Sequence, residues 1–253
     1  RNITLVMDFY ELTMVSSDYK KNKQDEYAYF DMFYRNNPDK GGFVVAAGLQ
    51  QLIEAIKYMH FSEGDIDYLR HFKFQGSIWA IPEGTPVFPY EPIVTVRAKL
   101  IEAQLIETFL LITMNHQSLI ATKAHRIVQE AKGRPVMEFG SRRAQGYDGA
   151  NYGARAAYIG GVSGTADVAA GKMFGIPVLG TMAHSFVQSF DSEYEAFKAY
   201  AEVYPDSCVL LVDTYDVLKS GIPNAIKVAE EVLAPMGKRL SGIRIDSGDI
   251  AYL

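Results

Sequence analysis

The stretch CVLLVDT, residues 208–214, decides how this chain is read. An unbroken apolar run ends in an aspartate and a threonine. That is the pattern of a strand buried on both faces that surfaces only at its C-terminal end. Four further runs share it: PVMEFG (135–140), IGGVSG (159–164), PVLGT (177–181) and GIRIDSG (242–248). Helical patterns separate them over 147–158, 165–174, 191–203 and 223–234. Strand–helix alternation predicts parallel strands joined by crossover helices. Nearly every run ends in Gly, Ser, Thr, Asp or Arg. The polar groups therefore collect at the C-terminal edge, where α/β barrels and doubly wound sheets alike place their sites.

Upstream of Pro135 this rhythm is absent. YAYFDMFYR (27–35) alternates as a strand, GGFVVAAGLQQLIEAIKYM (41–59) reads as a strand entering a helix, and DIDYLRHF (65–72) reads as a short helix. The Pro and Gly punctuation of GSIWAIPEGTPVFPYEPIVTVRA (76–98) predicts turns and edge strands rather than central ones. Residues 99–132 carry long helical patterns, with a break expected near Asn115–Ser118. The organisation expected is an N-terminal α/β domain with linking helices over 1–134 and the first βα units of a barrel over 135–253. A chain starting at Arg1 and stopping just past IDSGD is expected to be a piece of a longer protein.

The 253 residues are 48% hydrophobic and 22% charged, the balance of an ordered globular protein. A net charge of −5 argues against general nucleic-acid binding but leaves room for local basic sites. No apolar run approaches the ~18 residues of a membrane span, and no signal-peptide pattern opens the chain. The lone cysteine, Cys208, cannot form an internal disulfide and reads as a core residue in a reducing cytoplasm. Neither a Walker-type phosphate loop nor G-x-G-x-x-G is present.

The strand ends hold the candidate chemistry. EFGSRRAQG (138–146) sets Phe139, Arg142 and Arg143 beyond the first run. Two adjacent arginines on a Gly/Ser turn either stay solvated or neutralise a phosphate or carboxylate through forked hydrogen bonds. GVSGTAD supplies Thr165 and Asp167, with a helix N-cap as the simplest use of the aspartate. Asp213 suits Mg²⁺ or a ribose hydroxyl, whereas Asp216 reads as a helix start. Arg244 and Asp246 alternate and share one strand face, as an anion–metal pair or as a plain salt bridge. In PVLGTMAHSF (177–186), His184 sits where a strand opens into a loop. His60, His71, His116 and His125 lack metal-ligand spacing and read as surface or packing residues.

MDFYELTM (7–14), GGFVVAAGL, EFGSRRAQG, GTMAHSFVQSF, VDTYDV and IRIDSGD, in this order and approximate spacing, resemble the nicotinate phosphoribosyltransferases across the whole chain. The resemblance implies a type II phosphoribosyltransferase fold, an irregular TIM-like α/β barrel plus a smaller N-terminal α/β domain. It implies transfer of phosphoribosyl from phosphoribosyl pyrophosphate to nicotinate, coupled to ATP hydrolysis through phosphorylation of His184, in NAD salvage. Phe139 would stack on one face of the pyridine ring and Tyr10 of a second subunit on the other, making a homodimer. Arg142, Arg143 and Arg244 would meet carboxylate or phosphates, with Thr165 and Ser185 as further substrate contacts. Asp213 and Asp246 would serve the ribose hydroxyls and Mg²⁺, and Asp213 would also orient His184.

Nicotinamide-using relatives carry a carboxylate directly after the Gly-Thr of the second barrel strand. Here that place is Ala166, which favours an anionic substrate because two carboxylates repel. The competing readings are a nicotinamide or quinolinate phosphoribosyltransferase and a ligand-binding relative without turnover.

Overall fold

The computed structural model describes residues 4–59, 69 and 71–253. The chain divides into two compact units, Arg1–Leu179 and Gly180–Leu253. Most of the segment expected as a helix over 65–72 lies outside the described residues, as does His60.

In the first unit, β1 (Tyr27–Met32) precedes the short β2 (Val44–Val45) and the helix Leu49–Ile56. β3 (Ser77–Ala80), β4 (Pro86–Val87) and β5 (Val94–Lys99) follow. The antiparallel sheet runs β1-β5-β3, and β2 pairs with β4. This corrects the expectation that 76–98 gives only edge strands, because β5 is the central strand. Its prolines, Pro82, Pro86, Pro89 and Pro92, all fall outside the β5 ladder, so none removes a donor from it. Val94, Val96 and Ala98 alternate inward and are buried, joining Leu52, Ile101, Leu105 and Met114 in the main core. Each such valine, leucine, isoleucine or methionine side chain contributes about 1.5–3 kcal/mol of burial.

The helix Glu107–Glu130 runs straight through Asn115–Ser118, and the interruption lies earlier, at Ile106. The expected break fails because Gln117 and Ser118 find partners across the packing face. Gln117 Nε2 donates to Gln51 Oε1 at 2.7 Å, and Ser118 exchanges hydrogen bonds with the Ala47 backbone. Gly48, at φ 110°, lies against this helix, where a Cβ would sit 2.8 Å from the Thr113 carbonyl oxygen.

A buried ion pair ties three elements of this unit. Arg155 donates to both Glu83 oxygens, at 2.9 and 2.7 Å, and to Gln117 and Gln50. Burial opposes ionisation of Glu83, yet the Arg155 fork and the Gly48 N–H outweigh it and hold the carboxyl below its ordinary range.

β6 (Met137–Glu138) then pairs in parallel with β7 (Gly164–Thr165), and Thr165 bridges to Val178. The helix Gly146–Ile159 is their crossover. The apolar run 159–164 contributes less strand than its composition promises, since a turn occupies 160–161. The next helix starts at Val168, not 165, because Asp167 caps it by accepting from the Ala170 N–H.

The second unit pairs β8 (Val209–Leu211) with β9 (Gly242–Arg244) in parallel, Leu211 opposite Arg244. The helices Glu193–Val203 and Ile222–Val228 are packed through a core that includes Phe197, Leu210, Leu211, Leu233 and Cys208. Asp216 starts the first turn after β8 by accepting from the Leu218 and Lys219 N–H groups. Among the described residues, no helix is long and apolar enough to cross a membrane.

Candidate active site

Within Gly180–Leu253, the parallel pair β8–β9 brings its C-terminal ends side by side, and the charged residues beyond them are bonded to one another. Arg244 is the hub. Its Nη1 donates to Thr181 Oγ1 at 2.9 Å and to the Met182 carbonyl at 3.3 Å, and its Nη2 donates to Asp246 Oδ2 at 2.8 Å. Asp246 Oδ2 lies 3.6 Å from His184 Nε2. The Asp246 N–H donates to Asp213 Oδ2 at 2.9 Å, and the Ser247 hydroxyl donates to the same oxygen at 2.7 Å. One network therefore contains His184, Asp213, Arg244 and Asp246.

His184 opens the short helix His184–Gln188 rather than lying in a loop, with the exposed Ser185 after it. Its ring nitrogens face Thr214 Oγ1, 3.2 Å from Nδ1, and Asp246. Asp213, expected to orient the imidazole, makes no hydrogen bond to it. That carboxylate is committed to the β9 exit through Asp246 and Ser247. Burial opposes its ionisation, but the Ser247 hydroxyl, the Asp246 N–H and nearby His184 together hold it below the usual carboxylate range. Its second oxygen, Oδ1, is buried and has no hydrogen-bond partner in the described structure.

That orphaned oxygen bears on the metal. Mg²⁺ commonly binds one or two carboxylates and keeps its other positions for water and substrate phosphates. Asp213 Oδ1 and the half-exposed Asp246 match that donor set. Among the described residues, no group of three or more His, Cys, Asp or Glu could hold a metal ion.

Within Arg1–Leu179, the β6–β7 ends are arranged differently. Thr165 is fully buried, its hydroxyl donating to Glu138 Oε2 at 2.6 Å and accepting from the Asp167 N–H at 3.0 Å. Glu138 also accepts from the Gly140 N–H, so both its oxygens are occupied. Phe139 is half-buried. Arg142 and Arg143 stand on the turn Ser141–Arg143, exposed, with no ion-pair partner among the described residues.

Tyr10 lies on the helix Phe9–Lys20 and is 46% exposed. Its hydroxyl donates to Glu107 Oε1 at 2.9 Å, and this bond, with burial and the charges of Glu107, Glu11 and Asp8, pushes its pKa up to about 12. Glu11 is buried beside it and accepts from Thr108, and burial raises its carboxyl pKa. Of the remaining histidines, His125 Nδ1 sits 3.3 Å from the Gly160 carbonyl and His116 lies within the helix Glu107–Glu130.

Sequence reasoning missed Thr214, Ser247 and Glu138. All three adjoin residues it named or belong to the same quoted motifs, and the signal available was their hydroxyl or carboxylate chemistry at a strand end.

Comparison with known proteins gives a consistent result. Residues 5–115 match the nicotinate phosphoribosyltransferase (NAPRTase) N-terminal domain, and residues 135–252 match the nicotinate phosphoribosyltransferase (NAPRTase) family. The nicotinate phosphoribosyltransferase of Bacillus subtilis is 47% identical over 268 residues, covering 100% of this chain and 54% of that protein. Nicotinate phosphoribosyltransferase pncB2 of Mycobacterium tuberculosis is 43% identical over 265 residues, covering 98% of this chain and 56% of the relative. The chain thus spans about half the length of the curated relatives it matches. The crystal structure of human nicotinic acid phosphoribosyltransferase superposes with a TM-score of 0.89 at 30% identity, covering 97% of this chain and 62% of that one. Both matched regions, the full-length identity and the shared α/β fold agree: the chain belongs to the nicotinate phosphoribosyltransferase family.

Proposed function

We propose that the protein transfers the phosphoribosyl group of phosphoribosyl pyrophosphate to nicotinate, for NAD salvage in the cytoplasm, with ATP hydrolysis coupled through a phosphohistidine at His184. The observation that carries this reading is the cluster at the ends of β8 and β9, in which Asp246 is hydrogen-bonded to Arg244 and Asp213 and lies 3.6 Å from His184 Nε2, itself held by Thr214. A network of this kind holds an imidazole and two carboxylates in place before substrate arrives, which is what electrostatic catalysis requires.

In the transfer, the pyridine nitrogen forms a bond to the anomeric carbon, and the bond from that carbon to pyrophosphate breaks, the electron pair leaving with pyrophosphate. Positive charge develops on the ribose, so nearby carboxylates stabilise the sugar while cations stabilise the leaving anion. Asp213 and Asp246 would hold Mg²⁺, which supplies charge neutralisation to the pyrophosphate when bound. The side chains of Arg142 and Arg143, exposed and without an ion-pair partner among the described residues, suit the anionic groups of the substrates. Phe139 would supply one wall for the pyridine, with Thr165 holding the β6–β7 end and Ser185 beside His184. In the ATP half-reaction, an imidazole nitrogen bonds the γ-phosphorus and the bridging bond breaks, releasing ADP. A dianionic phosphoryl group then offers new acceptors beside Arg244.

The exposed Leu5, Val6, Phe9 and Tyr10 support a homodimer in which Tyr10 reaches the neighbouring subunit's site. Nicotinate is favoured over nicotinamide by Ala166, which places no carboxylate acceptor for an amide N–H directly after Gly164 and Thr165.

The test is incubation of the full-length protein with γ-labelled ATP, beside His184→Ala. Label on the wild type and none on the variant is expected, and equal label on both refutes the assignment. Competition among nicotinate, nicotinamide and quinolinate checks the substrate, and preference for nicotinamide overturns the reading of Ala166.

A further inference from the structure

Among the described residues, the side-chain hydrogen bond of His184 goes to neither of the aspartates. Thr214 Oγ1 stands 3.2 Å from Nδ1. Asp246 Oδ2, at 3.6 Å from Nε2, is beyond hydrogen-bond range and already takes the Arg244 guanidinium at 2.8 Å. We infer that Thr214 is the positioning residue for His184: its hydroxyl oxygen accepts the Nδ1–H, which fixes the tautomer and leaves the Nε2 lone pair as the reacting nitrogen. The two ring nitrogens of a histidine are distinguished by what the other one bonds, so the acceptor at Nδ1 decides which nitrogen is free. Thr214 suits this role because its oxygen accepts without adding charge. A carboxylate in that place would favour a protonated imidazolium, which has no lone pair to give.

The position of Thr214 is set by the fold. It follows Asp213, whose carboxylate is tied to the Asp246 N–H and the Ser247 hydroxyl. Just before them, the Val212 carbonyl packs against Gly221, where a Cβ would come within 1.9 Å of the carbonyl oxygen. The β8 exit is therefore pinned on both sides. Only glycine at 221 permits that approach, and any side chain there would push out the segment that carries Thr214.

The inference deepens the proposed phosphohistidine and rests on it for its function, but the tautomer is measurable alone. NMR of the full-length protein labelled at its histidine ring nitrogens, with His184→Ala to assign the signal, reads it directly at one fixed neutral pH. The expected wild-type spectrum has a protonated Nδ1 and an unprotonated Nε2. Thr214→Val, which keeps the shape and removes the acceptor, should shift the population toward the Nε2–H form, and Thr214→Ser should restore it. Phosphoryl transfer from γ-labelled ATP should slow by about tenfold in Thr214→Val, the loss of one hydrogen bond of ordinary worth, with KM for ATP unchanged and recovery in Thr214→Ser. A protonated Nε2 in the wild type, or a Thr214→Val spectrum identical to it, overturns the inference. A wild type with the expected tautomer that takes no label refutes the phosphohistidine and leaves Thr214's orienting role standing.

Discussion

The two sets of strand ends follow opposite rules. Beyond β8 and β9, Asp213, Arg244 and Asp246 are bonded into one network, with Arg244 holding Thr181, Met182 and Asp246 together. Beyond β6, Arg142 and Arg143 stand exposed and unpaired among the described residues. A wired cluster keeps its geometry without ligand and loses little freedom when one binds. Unpaired arginines must be ordered by the ligand itself, but their charge is not already neutralised. The first arrangement suits chemistry at fixed atoms; the second suits capture of an anion.

Arg155 sets the upper end of that contrast, since it is buried and its fork is fully used. Arg155→Met should lower the unfolding free energy by about 3–5 kcal/mol, because Glu83 is left charged and uncompensated. Chemical denaturation checks it, and a loss below 1 kcal/mol would show that this network is not held by charge. Arg244→Met, at a more exposed site, should cost about 1.5–3 kcal/mol and should depress turnover more strongly than KM. Equal effects on kcat and KM in steady-state kinetics would instead place Arg244 with the capturing arginines.

Asp213 offers a smaller effect with a defined sign. Its folded carboxyl lies below the ordinary value of about 3.9, so it stabilises the fold at every pH above that value. The contribution fades as pH falls through the folded pKa. The stability difference between wild type and Asp213→Asn should therefore be constant from neutrality to mild acid and shrink below about pH 4. A difference that grows on acidification breaks the assignment. The smallest stability effect belongs to Arg142→Ala with Arg143→Ala, within about 0.5 kcal/mol of wild type. That pair should still raise KM for an anionic substrate roughly tenfold, the worth of one exposed charge-assisted contact.

Much of this was legible before any coordinates. The run 208–214 announced a buried strand, and β8 with its aspartate at the exit is what forms. Asp167 and Asp216 stand in the sequence as helix starts, and both cap helical turns. The readings that failed share one cause. Local preference alone disfavours a central strand beside the Pro and Gly around β5 and a helix through Asn115–Ser118, while non-local partners decide the outcome. The pairing of His184 failed similarly. Asp213 is the stronger acceptor in chain terms, yet the β9 exit claims it, and the neighbouring Thr214 receives the imidazole.

By itself, the sequence determined the alternation of strands and helices, the polar strand ends and the family. These follow from side-chain periodicity and from motifs that survive as short strings. Which atom faces which was decided only by the tertiary structure. Parallel pairing of β8 with β9 sets Leu211 opposite Arg244, which delivers Asp213 and Asp246 to one edge. Residues more than thirty positions apart meet there through a register that no local pattern encodes.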